Sequence, residues 1–196
     1  MVSVPAPPNH ADVPPRDAAN MQLSWRPLDE GDRDRIVKWM QNPLLTATTV
    51  VVPSPQHSPT FDETAAQRYV DELLYDPSRK VWAVCTGGVH IGNVGLREYD
   101  RARHTSECFV ELGDARWRGR GIGCWAMQAL IHTAFHELDI VELTLGVFDF
   151  NDVATRLYAK LGFTPFGTYG WHWADGRYHR IVHMRLQREW GAPRTR

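Results

Sequence analysis

The run Trp117-Arg118-Gly119-Arg120-Gly121-Ile122-Gly123 constrains the fold of this chain more than any other stretch. It falls between a strand-like segment, 105–113, and the clearest amphipathic helix in the sequence, 121–138. In that helix Ile122, Trp125, Ala126, Ala129, Leu130, Thr133, Ala134 and Leu138 recur at i, i+3, i+4 spacing, with Gln128, His132, His136 and Asp139 on the solvent side. A strongly apolar strand, 140–148, follows. The order strand, helix, strand predicts parallel strands joined by a right-handed crossover. In the turn that enters the helix, three glycines alternate with two arginines. Backbone N–H groups can there approach a ligand without side-chain obstruction, and the helix N-terminus adds roughly half a positive charge to the full charges of Arg118 and Arg120. This suits a pyrophosphate. The same residues also describe a sharp turn with solvated arginines, and a short glycine motif alone does not choose between the two.

The segments around this unit read as a single domain. Residues 1–20 carry Pro5, Pro7, Pro8, Pro14 and Pro15 and almost no large apolar side chains, the composition of a disordered extension. Residues 21–191 form the folded domain, and 192–196 a short tail. Strand patterns lie at 22–28, 80–86, 89–99, 105–113, 140–148, 168–173 and 177–186. Helix patterns lie at 32–41, 61–75 and 121–138, and in a fourth helix that Asn151 caps and Gly162 ends. Asn42-Pro43 reads as the stop of the first helix and Gly87-Gly88 as a hairpin turn. Residues 44–60 are rich in Thr, Val and Pro, an irregular stretch that is either a substrate-covering loop or a plain surface excursion. In the strand at 105–113, Cys108, Val110 and Leu112 share one face, and Thr105, Glu107, Phe109 and Glu111 share the other.

Bulk properties exclude several classes. A chain of 196 residues with 43% apolar content and net charge -1 is globular and is not a dedicated nucleic-acid binder. Cys85, Cys108 and Cys124 form no C-x-x-C pair, so neither a disulfide framework nor a zinc cluster is indicated and a reducing, cytoplasmic setting fits. No apolar run is long enough for a membrane span. The glycine run does not fit a dinucleotide fingerprint, which needs Gly or Ala where Cys124 stands. Nor is it a P-loop, because Cys124-Trp125 replaces the required Lys and Ser or Thr.

What remains is Arg118-x-x-Gly121-x-Gly123 followed by Asn151-x-x-Ala154-x-x-Leu157-Tyr158-x-x-Leu161-Gly162-Phe163. This pair of motifs resembles the GNAT superfamily of acyl-CoA-dependent N-acetyltransferases, from about Gln22 to Trp190. Arg26-Pro27-Leu28, Trp39-Met40-Gln41-Asn42-Pro43 and Asp175-Gly176-Arg177-Tyr178-His179 are similar to the branch that acetylates ribosomal-protein N-termini and spermidine. Arg180 departs from that branch, which usually has an acidic residue there. The resemblance implies an α/β (α+β) fold: a mixed, mostly antiparallel sheet of about seven strands, splayed in a V between strands 4 and 5 and flanked by about four helices. It implies that the cosubstrate is acetyl-CoA, with no metal. The backbone of Arg118, Gly119, Arg120, Gly121, Ile122 and Gly123 would hold the pyrophosphate, and main chain near Val110 and Leu112 would pair with the pantetheine arm. Asn151 would touch that arm, and the Tyr158 hydroxyl would lie near the thioester sulfur.

Acetyl transfer needs a neutral amine and a proton for the departing thiolate. An alkylammonium near pKa 10.4 costs roughly 4 to 5 kcal/mol to deprotonate at neutral pH, an α-amine near 8 only about 1. Glu107 is the first candidate for general base, and its alternative role is a cross-strand partner for an arginine. Glu111 is the second. Four residues of strand put the two about 13 Å apart, which rules out a shared action on one nitrogen. Tyr158 is the candidate acid, or else a core aromatic of its helix. Trp171 and Trp173 either line an acceptor pocket or cover the sheet, and His90 and His104 lack metal-ligand spacing. The expected acceptor is an amine-bearing small molecule or a protein N-terminus, with no nucleic-acid or membrane partner and a homodimer left open. The competing function is a CoA-binding module without catalysis.

Overall fold

The structure, a computed structural model, describes residues 21–48, 61–172 and 178–188, the side chains of 171 and 172 excepted. The extension at 1–20, the stretch 49–60, Trp173, the Asp175-Gly176 turn and the tail at 192–196 lie outside the described residues, as does any pocket role for the Trp171 side chain. The strands are β1 Leu23–Pro27, β2 Lys80–Thr86, β3 Val89–Asp100, β4 Thr105–Leu112, β5 Glu142–Phe148, β6 Thr164–His172 and β7 Tyr178–Gln187. The helices are α1 Arg33–Met40, α2 Pro43–Thr46, α3 Glu63–Tyr75, α4 Ile122–His136 and α5 Asp152–Lys160.

The strands form one sheet in the order β1-β2-β3-β4-β5-β7-β6. Every neighbouring pair is antiparallel except β4–β5, which the α4 crossover makes parallel. The β2–β3 hairpin turns on Gly87 (φ 54°) and Gly88 (φ 78°), the two positive dihedrals a type I′ turn requires.

The alternation along β4 divides the core. Cys108 belongs to the cluster under α4 and α5, with Ile122, Ala126, Met127, Leu130, Leu143, Leu145, Val147 and Tyr158. Phe109 packs on the opposite face, where Ile36, Val37, Met40, Ala66, Tyr69, Val70 and Leu73 bring α1 and α3 against the sheet. Each fully buried Leu, Ile or Met in these layers contributes about 1.5–3 kcal/mol.

Several boundaries differ from the sequence reading, β5 starting at Glu142 and α3 at Glu63 among them. Asn42 accepts from the Leu44 amide and Pro43 takes the first helical position, so the dipeptide that stops α1 also starts the fifth helix, α2. Strand β6 begins at Thr164, four residues before the expected 168, with Pro165 tolerated because the register shifts between Pro165 and Gly167 on an edge strand. Gly121 is the N-cap of α4 and not its first residue. Asp29 caps a 3-10 turn, Glu30–Asp32, that leads into α1.

Candidate active site

The opening between β4 and β5 is built by an interrupted ladder. The parallel register runs Thr105↔Glu142, Ser106↔Leu143, Glu107↔Thr144 and then ends, while β4 continues to Leu112 and β5 to Phe148. The first residue past the last rung is Cys108, whose thiol donates to the Thr144 carbonyl at 3.3 Å. On its other edge β4 stays paired with β3, Val94↔Val110 and Gly92↔Leu112 included. Val110 and Leu112 therefore border the opening from a strand held rigidly on one side.

The glycine run lies beyond the C-terminal end of β4. Asp114 caps a 3-10 turn, Ala115–Trp117, by accepting from the Arg116 amide, and it also pairs with the Arg116 guanidinium at 2.6 Å. Gly119 (φ 73°) and Gly121 (φ 80°) then take left-handed conformations that L side chains rarely adopt. The buried Ile122 anchors the first turn of α4, and no side chain caps that helix. Its first amide donors are thus free of a competing acceptor, which fits an anion such as a pyrophosphate. Arg118 is exposed. Arg120 donates from Nε to the Arg116 carbonyl at 2.8 Å, with its guanidinium 5.7 Å from the Trp117 ring centroid.

Helix α5 carries the second motif. Asn151 accepts from the Ala154 amide at 3.2 Å through Oδ1, which leaves its amide NH2 for another partner. Tyr158 is 8% exposed, its ring 5.9 Å from Phe163 in an edge-on contact. Burial pushes its phenol well above the ordinary tyrosine range, with the nearby Cys108 thiol adding to the shift. Burial also pushes the Cys108 thiol up. Among the described residues none accepts a hydrogen bond from the Tyr158 hydroxyl, so both roles named for Tyr158 are compatible: a core ring with an uncommitted proton.

The two strand carboxylates have different surroundings. Glu107 stands directly across from Arg97, in register, and accepts from its Nη2. This is the arginine partnership foreseen as its alternative role. Glu111 is 6% exposed; Oε1 accepts from the Asn93 amide at 2.6 Å and Oε2 from the Tyr69 hydroxyl at 3.1 Å. Burial pushes the Glu111 carboxyl up, against the lowering effect of those two donors. Behind Asn93, Oδ1 lies 2.9 Å from His90 Nε2, and His90 Nδ1 lies 2.9 Å from Asp32 Oδ1. Burial pushes the His90 imidazole below its ordinary pKa, and its Nδ1 makes no aligned hydrogen bond with Asp32. Against the burial that would raise it, the Arg26 guanidinium, bidentate at 2.7 Å, holds Asp32 below the usual carboxylate range.

Tyr69, His90, Asn93 and Asp32 went unmarked in the sequence because their elements are far apart in the chain and His90 has no ligand spacing. The one signal was Asn93, a polar residue within the otherwise apolar run from Ile91 to Leu96. Arg180 pairs with Asp149 at 2.9 Å, so the departure from the expected acidic residue is absorbed by a carboxylate at the end of β5. Among the described residues no group of three or more His, Cys, Asp or Glu could hold a metal ion, and no helix is long and apolar enough to cross a membrane.

Residues 22–164 match the Acetyltransferase (GNAT) domain family. The chain is 26% identical over 145 residues to the L-amino acid N-acetyltransferase AaaT of Escherichia coli (strain K12), covering 73% of this chain and 83% of that protein. It is similar in fold to spermidine N-acetyltransferase from Vibrio cholerae, solved in complex with CoA and spermine, at a TM-score of 0.72 and 20% identity over 85% of this chain and 95% of that one. A dodecameric structure of the Vibrio cholerae enzyme also matches, at a TM-score of 0.68 and 19% identity over 85% of this chain and 94% of that one. With the domain match spanning well over half its length, the chain belongs to the GNAT family of acetyltransferases and is an acyltransferase enzyme.

Proposed function

We propose that this enzyme transfers an acetyl group from acetyl-CoA to a primary amine, on a small molecule or at a protein N-terminus, by direct attack. The observation that carries the reading is the end of the β4–β5 ladder after Glu107 and Thr144, with the buried Tyr158 hydroxyl uncommitted beside Cys108. The name of the Escherichia coli relative gives L-amino acids as its substrates, and that of the Vibrio cholerae neighbour gives spermidine, both primary amines.

Acetyl-CoA supplies an activated thioester, whose C–S bond breaks as the amine forms a C–N bond. Amide donors from Arg118 to Gly123 hold its pyrophosphate at the uncapped start of α4. Main chain at Val110 and Leu112, with the free NH2 of Asn151, orients the arm that lies in the opening. Glu111 is the favoured base, directly or through water: it takes the proton that the acceptor ammonium must lose. Glu107, bound to Arg97, is left the weaker candidate. Tyr158 retains its proton through the physiological range and gives it to the departing sulfur. Burial raises the neighbouring Cys108 thiol as it raises the phenol, and a departing thiolate in the same surroundings would gain proton affinity likewise.

The test is calorimetric titration with acetyl-CoA followed by thiol-release assays over spermidine, free L-amino acids and N-terminal peptides. Amine-dependent release supports the proposal. Binding with no release for any amine leaves only the non-catalytic module.

A further inference from the structure

A continuous chain of buried polar groups runs from the surface at Arg26 to Glu111, through four separate elements. Arg26 on β1 clamps Asp32, and Asp32 faces His90 at the start of β3. His90 Nε2 lies 2.9 Å from both the Gly92 carbonyl and Asn93 Oδ1, two acceptors, so this nitrogen carries a hydrogen. The Asn93 oxygen is thereby fixed toward His90, and its NH2 must point at Glu111 Oε1. The Tyr69 hydroxyl on α3 fixes the other carboxylate oxygen.

The packing keeps this arrangement in one state. The Trp39 indole sits edge-on to His90 at 4.8 Å, and a Cβ at Gly113 would overlap that indole. His90, Asn93 and Asp32 are 4%, 0% and 3% exposed. In an interior this dry an unsatisfied polar group is costly, and the His90 Nδ1–Asp32 contact is the link that lacks an aligned hydrogen bond.

We propose that His90 and Asn93 are positioning residues for Glu111, holding its carboxylate oriented and ready to accept the proton of the acceptor amine. The inference rests on the reading of Glu111 as the base. Both groups that reach Glu111 are donors, and donors favour the ionised carboxylate, the form a base must have. His90 acts at one remove: without it, Asn93 can rotate its amide and present an oxygen to Glu111. The charged or titratable groups facing His90 are Asp32, Arg26 on β1, Cys85 across the β2 register, and Arg35 on α1, which donates to the His90 carbonyl at 3.2 Å. Those facing Glu111 are Tyr69 and Arg97.

The experiment measures the pH profile of kcat/KM for the full chain and for His90→Leu, His90→Gln and Glu111→Gln, with acetyl-CoA affinity and unfolding followed alongside. His90→Leu removes the donor to Asn93. Its acid limb should move up by about one pH unit, so that kcat/KM on that limb falls about tenfold, with acetyl-CoA affinity unchanged. His90→Gln offers an amide donor in place of Nε2 and should restore most of the profile. Should His90→Leu fail to fold, His90→Asn, too short to reach Asn93, makes the same measurement. An acid limb unmoved in the Leu or Asn variant, with Glu111→Gln inactive, overturns the positioning role alone. Full turnover by Glu111→Gln overturns the base reading and this inference with it.

Discussion

Replacing Tyr158 with Phe separates chemistry from folding with unusual clarity. The substitution removes one oxygen that bonds to no described residue and keeps the ring, including its edge-on contact with Phe163 at 5.9 Å. No internal hydrogen bond is lost and no cavity larger than a hydroxyl is made, so stability should change by less than about 1 kcal/mol. Acid catalysis is another matter. A positioned proton donor contributes roughly 10²–10⁴ in rate, about 3–5 kcal/mol of barrier. Tyr158→Phe should thus lower kcat by at least about a hundredfold while acetyl-CoA affinity by calorimetry and the denaturant midpoint stay close to those of the parent. Because burial raises the phenol, the parent should also show no alkaline loss of kcat from this group at or below its ordinary titration range near pH 10. Thiol release on a saturating amine, measured from neutral to alkaline pH, reads both effects. Unchanged turnover, or a loss matched by an equal loss of folded protein, would refute the role assigned to Tyr158.

Other consequences concern the cradle, the base and the acceptor. Gly121→Ala forces an L side chain into φ 80°, at about 1–2 kcal/mol, and should weaken acetyl-CoA binding up to about tenfold by calorimetry because the strain is relieved only by moving the amide donors. Glu111 has a raised folded pKa, so the stability it contributes is present below its unfolded value and is lost as pH rises through the folded one. Glu111→Gln should accordingly gain stability relative to the parent between mildly acidic and alkaline pH, in denaturant titrations, while losing activity. Asp32 has the opposite sign: its depressed pKa stabilises the fold above the ordinary carboxylate range and that contribution vanishes as pH falls through the folded value. Asp32→Asn should cost about 2–3 kcal/mol at neutral pH, discounted for the half-exposed Arg26, with the difference narrowing in acid. With an α-amine acceptor, the rate should level off at lower pH than with an alkylamine, following amine pKa values near 8 and about 10.4.

Periodicity carried most of the architecture. The alternation of Cys108, Val110 and Leu112 against Glu107, Phe109 and Glu111 assigned both faces of β4, and the apolar spacing from Ile122 onward located α4. The parallel pairing followed from connectivity alone. Positions set by local chemistry were read less well: Asn42-Pro43 carries the signals for both a stop and a start, and only packing makes α2 of the second. The largest gap lay between the two glutamates. Both look alike on one strand face, yet Arg97 across the register engages Glu107, while Tyr69 and Asn93, 42 and 18 residues away in sequence, surround Glu111. Contacts over such separations are set by the sheet order and leave no periodic trace. The network behind Glu111 was hidden for the same reason.

The central claim, acetyl transfer to a primary amine, is tested most directly by single-turnover mixing of the enzyme and acetyl-CoA with an amine panel, following free thiol and acetylated amine together. The account predicts that the two products appear in equal amounts, only when an acceptor is present, and that Glu111→Gln and Tyr158→Phe both bind acetyl-CoA but slow product formation. Thiol release without acetylated amine, or full-rate transfer by both variants, would contradict it.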